Sequence, residues 1–94
     1  MLSGKEKNKL RGIAQKRKAL FQIGKDGVSE NMIKTIGDSL EAHELVKISM
    51  LKTCATMPRE AAFDLAAGTK SEIVQIIGRT IILYRRSKKN ILEM

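Results

Sequence analysis

The stretch Phe21–Ile33, FQIGKDGVSENMI, sets a short apolar run against two glycines three residues apart and then against a helix start. Extended to Ala19, the run reads ALFQI, whose short, apolar, aromatic-containing character predicts a strand ending at Gly24. Ser29 is placed to cap a helix whose inner face carries Met32, Ile33, Ile36 and Leu40 at helical spacing, ending near His43. A strand that closes in Gly-Lys-Asp-Gly and feeds a helix leaves amide N–H groups without intrahelical partners, which an anion can satisfy. Gly24 and Gly27 would permit positive φ and remove the Cβ atoms that hold a phosphate off, while Lys25 supplies charge. Asp26 would repel a phosphate unless its carboxylate turns back onto its own loop. Two glycines at this spacing also arise in plain turns, so the loop by itself leaves both readings open.

Upstream, Ser3 and Glu6 have the spacing of a capping box, predicting a helix to about Gln15 with Leu10, Ile13 and Ala14 as its buried stripe. At 100° per residue, Lys5, Lys9, Gly12 and Lys16 share the opposite face. Gly12 costs about 1 kcal/mol relative to alanine inside a helix, and close approach of another backbone, RNA or protein, would give it a use. Downstream, Glu44–Met50, ELVKISM, alternates as a strand with one covered face, with Val46, Ile48 and Met50 on one side and Leu45, Lys47 and Ser49 on the other. Pro58 fits the first turn of a helix over PREAAFDLAA, which Gly68 can close in a left-handed cap. Two β-branched runs in EIVQIIGRTIILYR flank Gly78-Arg79, the pattern of a type II′ hairpin. The order αβαβαββ predicts a compact layered α/β domain with a mixed four-stranded sheet.

The 94 residues, 43% of them hydrophobic, suit one domain, here 1–86, followed by a basic tail, 87–94. Charge is distributed unevenly. Met1–Lys25 carries eight Lys/Arg and one acid (+7), 26–78 five and eight (−3), and 79–94 five and one (+4). Two basic ends around an acidic middle form one positive face if the fold brings them together, and nucleic acid is then the leading partner class. No apolar run reaches the roughly 18 residues of a membrane span, and the charged start does not resemble a signal peptide, so a cytoplasmic protein without membrane association is expected. Cys54, alone, rules out an internal disulfide and a multi-cysteine zinc site; it reads as a small semi-buried residue in a reducing compartment. No cofactor or metal is expected.

His43, the single histidine, stands beside Glu44 at a helix end, where capping or packing accounts for it better than chemistry does. No catalytic constellation is identifiable, and a non-enzymatic protein is expected. Of three aromatics, Phe21 and Phe63 read as core and Tyr84 is open. A row of exposed rings for base stacking is therefore not available, which favours backbone-led recognition of structured RNA.

IGKDGV, HELVKI, VQIIG and LYR stand in the order and spacing of the YhbY-like proteins, single-domain bacterial members of the CRM group (chloroplast RNA splicing and ribosome maturation). The resemblance runs from about Leu2 to about Arg86. It implies an RNA-binding domain with the fold of the C-terminal domain of translation initiation factor three plus an N-terminal helix, associated with precursors of the large ribosomal subunit. In that family the GxxG loop is similar to the backbone-clamping loop of KH domains, and it maps onto Gly24, Lys25, Asp26 and Gly27. One departure is GTKSE, where the family has a Gly-Ala pair after Thr69.

The expected RNA surface joins this loop to Lys5, Lys9, Gly12 and Lys16 and to Arg85 and Arg86, with Arg11, Lys18 and Arg79 undecided. Two other partner classes stay open: a ribosomal protein or assembly factor on which the domain docks, and duplex DNA bound without specificity. A monomer is the default. If recognition is backbone-led and shape-led, a short unstructured oligonucleotide will not displace folded RNA at equal site concentration in a competition assay.

Overall fold

The Ser3 hydroxyl accepts from the Glu6 N–H (3.2 Å) and the Glu6 carboxylate from the Ser3 N–H (2.9 Å), completing the capping box. These hydrogen bonds, the one from the Ser3 backbone foremost, hold the Glu6 carboxyl below its usual range. In the computed structural model, which describes residues 2–88 and 92, they open α1 (Gly4–Gln15). There follow β1 (Phe21–Ile23), α2 (Glu30–His43), β2 (Leu45–Met50), α3 (Pro58–Thr69), β3 (Glu72–Ile77) and β4 (Thr80–Tyr84). The sheet order is β1-β2-β4-β3. β1 pairs parallel with β2, Phe21 opposite Ile48, and the other pairings are antiparallel, which makes the sheet mixed as expected. Ile77 pairs with Thr80, leaving Gly78-Arg79 as a two-residue turn. Only Gly78 has positive φ (56°), which agrees with type II′, since type I′ would require both residues there.

Two clusters of buried side chains sandwich the sheet. Ile36 and Leu40 of α2 and Ala61, Ala62 and Leu65 of α3 meet Ile23, Val46, Ile48, Met50, Ile81 and Leu83 on one face. Leu10 and Ala14 of α1 meet Leu45, Val74, Ile82 and Tyr84 on the other. The expectation of one covered face for β2 is therefore corrected: Leu45 is fully buried and Lys47 half-buried because α1 lies over them. Arg17 Nη1 donates to the Leu45 carbonyl (3.1 Å), and Lys47 Nζ reaches the carbonyls of Arg17 (3.3 Å) and Ala14 (3.5 Å), a cation at the negative end of α1.

Four local expectations also change. β1 starts at Phe21; Leu20, though its N–H bonds the Lys47 carbonyl, is 60% exposed. α3 continues through Gly68 to Thr69, and Lys70 takes the left-handed cap (φ 56°, ψ 42°), its N–H returning to the Ala66 carbonyl. Gly68 is needed instead for packing, because a Cβ there would lie 2.8 Å from Ile33 Cγ2. Phe63 is 60% exposed: the alanines of α3 face the sheet and let the helix sit close, and the ring two positions from Ala61 is turned outward. Cys54 is buried, and Phe21 packs half-buried against the α2–α3 core.

The C-terminal segment is tied back to the domain. Glu44, at φ 66° after α2, is fully buried; its carboxylate accepts from Ser87 N–H (2.6 Å), Ser87 Oγ (2.9 Å) and Leu92 N–H (2.6 Å). The expected basic tail thus begins with an anchored residue, and its positions 89–91 and 93–94 lie outside the described residues. Arg85 bridges two helices, donating to the carbonyls of Thr69 (2.8 Å) and Gly37 (2.7 Å) and to Glu41 Oε2 (3.3 Å). Replacing it, Arg85→Gln, should cost about 1–3 kcal/mol in urea unfolding, because the α3 terminus loses a charged donor. Lys70→Gly should gain about 0.5–1 kcal/mol, raising Tm by a few degrees, since glycine carries no Cβ penalty in the left-handed region.

Candidate nucleic-acid interface

Gly24, Lys25, Asp26 and Gly27 form a turn at the carboxyl end of β1, closed by the Gly27 N–H to the Gly24 carbonyl (3.1 Å). Positive φ is used at Gly27 alone (75°), where a Cβ would also come within 3.2 Å of Thr56 Oγ1. Gly24 has an ordinary conformation, and a Cβ there would only touch Leu51 Cδ1 at 3.9 Å. Its missing side chain is not required by the fold. Lys25 and Asp26 are exposed, and the Asp26 carboxylate does not fold back: among the described residues it makes no hydrogen bond. The loop does not run straight into α2 either, since Val28 and Ser29 intervene and Ser29 Oγ accepts from the Met32 N–H (3.1 Å). What the loop offers is a tight exposed turn, not a bare helix terminus.

Strand register then decides which charges surround it. β1 and β2 run parallel, so Ile23 lies beside Met50, and Leu51 N–H bonds the Ile23 carbonyl (2.9 Å). The β3–β4 turn arrives at the same end: the Arg79 carbonyl accepts from Met50 N–H (2.8 Å), and Arg79 Nη1 donates to the Leu51 carbonyl (3.1 Å). Lys25, exposed Lys52 and Arg79 therefore belong to one end of the sheet. Lys52 carries no periodic or motif signal, and Arg79 was undecided in sequence; both gain their place only from the pairing of strands.

α1 belongs to the other end. Its start is bonded to β3 through Leu2 N–H to Glu72 Oε1 (3.2 Å), and its close to Leu45 and Lys47 at the start of β2. Lys5, Lys9, Gly12 and Lys16 are all exposed as expected, and none of the described residues lies within 4 Å of where a Cβ at Gly12 would stand. From Leu45 to Met50 is roughly 17 Å of strand, so the ladder and the loop do not meet at one point. Arg86 is exposed beside the start of α1, in a cleft with Leu2, Glu6, Lys70 and Glu72. Arg85 lines the same cleft with its guanidinium committed to Thr69, Gly37 and Glu41. Arg11 is half-buried, with Nη1 3.3 Å from Asn8 Oδ1, and Lys18 is exposed.

Tyr84 is resolved as core. Its ring is 4% exposed beneath α1 and its hydroxyl has no hydrogen-bond partner among the described residues; burial pushes its pKa above the usual value near 10. Phe63 is thus the aromatic side chain left substantially in water, and a single ring cannot make a stacking row. His43 is exposed in the last turn of α2, and its ring makes no hydrogen bond among the described residues. Within those residues, no group of three or more His, Cys, Asp or Glu is placed to hold a metal ion, and no helix is long and apolar enough to cross a membrane.

The chain is 48% identical over 90 residues to the probable RNA-binding protein YqeI of Bacillus subtilis, covering 96% of this chain and 94% of that protein. It is 30% identical over 88 residues to an RNA-binding protein of Haemophilus influenzae, with 94% and 89% covered. The solution structure of the hypothetical protein SAV1595 from Staphylococcus aureus superposes with a TM-score of 0.81 at 48% identity, covering 96% of this chain and 94% of that one. Residues 2–85 match the CRS1 / YhbY (CRM) domain, and the chain belongs to that family.

Proposed function

We propose that the protein binds structured RNA through the phosphate backbone and acts on precursors of the large ribosomal subunit during ribosome assembly. The observation that carries the first part is the Gly24–Gly27 turn, exposed at the end of the sheet with Gly24 free of any conformational need and Lys25, Lys52 and Arg79 around it. A position that keeps glycine without the fold requiring it is open to the close approach of a phosphate. The names of the relatives point to the same ligand class. A second basic surface, Lys5, Lys9 and Lys16 on α1 with Arg86 beside its start, supplies further phosphate contacts some distance away, which fits an extended folded RNA better than a short strand. The ribosomal assignment rests on the family resemblance.

Exposed Phe63 and Met57, at the first and outer turns of α3, favour a second reading in which the domain also docks on a ribosomal protein or assembly factor. Sedimentation from lysate separates the two: comigration with large-subunit precursors that is lost after mild RNase supports RNA tethering, and comigration that survives it supports docking on protein. In binding assays with folded ribosomal RNA, log K should fall with log salt at about 0.7–0.9 per phosphate contact. Gly24→Val should weaken binding at least about tenfold while the melting temperature stays within a few degrees of wild type; unchanged affinity would reduce the loop to a turn.

A further inference from the structure

A notch of about 250 Å³ opens at the amino ends of β1 and β2, lined by Arg17, Lys18, Leu20, His43, Leu45 and Lys47. Four of its six lining residues are basic and none is acidic. The nearest acids in sequence are engaged elsewhere: Glu41 pairs with Arg85, and Glu44 turns its buried carboxylate to Ser87 and Leu92. Part of this charge has a structural use, because Arg17 and Lys47 donate to backbone carbonyls at the junction of α1 and β2. That use leaves donors over. A guanidinium has five N–H groups and an ammonium three, and the Lys47 contacts at 3.3 and 3.5 Å are long. The side chains of Lys18 and His43 are exposed and make no hydrogen bond among the described residues. Leu20, 60% exposed on the rim, is an apolar wall beside them.

Building on the reading of the protein as an RNA binder, we propose that this notch is a second phosphate site that holds the same RNA strand as the Gly24–Gly27 turn. Lys18 and His43 contact a phosphodiester, Arg17 and Lys47 add field from behind, and Leu20 packs against the attached ribose or base. The two sites stand at opposite ends of β1, an edge strand of the sheet. From Leu20 to Gly24 the chain advances roughly 13 Å, short enough for one RNA strand to lie along the edge past exposed Gln22 and be held at both ends. Concave shape, basic lining without acid, and an apolar wall together match a nucleotide unit of the backbone better than a free inorganic anion, which has no use for Leu20.

The test is filter binding of the full chain to in vitro transcribed large-subunit ribosomal RNA across a salt series, comparing wild type, the double variant Lys18→Gln/His43→Gln, Gly24→Val, and a control Lys34→Gln on an exposed lysine away from the notch. Thermal melts accompany each variant. The notch variant is expected to melt like wild type, to bind about five- to tenfold more weakly near 0.1 M salt, and to lose about 0.7–0.9 from the salt slope for the Lys18 contact removed. Leu20→Ser should weaken binding without changing that slope. Wild-type affinity and slope in the notch variant, with Gly24→Val still weakened, would overturn the notch and leave the RNA reading standing. An equal loss in the lysine control would overturn it as nonspecific charge. Absence of salt-dependent RNA binding by the wild type would sink the RNA reading, and the notch with it.

Discussion

β2 is covered on both faces, and this constraint organises the rest of the molecule. Val46, Ile48 and Met50 point into the core under α2 and α3, while Leu45 and the stem of Lys47 lie under α1. A strand alternates sides at every residue, so two covers are needed for such a sequence, and the chain supplies them from opposite directions. The α2–α3 side is built from small and branched residues at close range, with Gly68 pressed on Ile33. The α1 side is smaller and is secured by polar links, Arg17 to Leu45 and Lys47 to the carbonyls of Ala14 and Arg17 at and just after the end of α1, so that a basic helix can be held on the sheet without burying its own lysine face.

The chain ends are held by buried polar groups of a kind that is costly to leave unpaired. Glu44 adopts a positive-φ backbone conformation (φ 66°, ψ −34°) and carries a fully buried carboxylate, both unfavourable in isolation, and three hydrogen bonds from Ser87 and Leu92 help offset them. Removing those donors would leave a buried carboxylate with fewer partners, which makes the path of the chain after β4 part of the fold. Arg85 works in the same way between α2 and α3. Of two adjacent arginines that look alike in sequence, one is thereby committed to the architecture and Arg86 is left at the surface.

The proposed function rests on where the remaining charge is exposed. The protein presents basic groups at both ends of its sheet: Lys25, Lys52 and Arg79 near the glycine turn, and the α1 ladder with Arg86, Lys18 and His43 at the other. With Tyr84 and Phe21 drawn into the cores, the surface is poor in rings and rich in donors, which suits contact with a phosphate backbone of defined shape more than reading of splayed bases.

Local patterns in the sequence were enough to determine the capping box at Ser3, the Ser29 cap, Pro58 at a helix start, the Gly78-Arg79 hairpin and the order αβαβαββ, because each depends on residues within a turn or two of one another. The exposed lysine face of α1 was legible for the same reason. The register that brings Arg79 and Lys52 to the glycine turn depends on residues 25 or more apart, and no local pattern encodes it. The tertiary structure alone decided that α1 would cover the second face of β2, that Phe63 would face water, that Lys70 and not Gly68 would take the left-handed cap, and that Arg85 would turn inward. In each case the deciding force was long-range packing or the pairing of a buried polar group, and both exist only once distant segments have met.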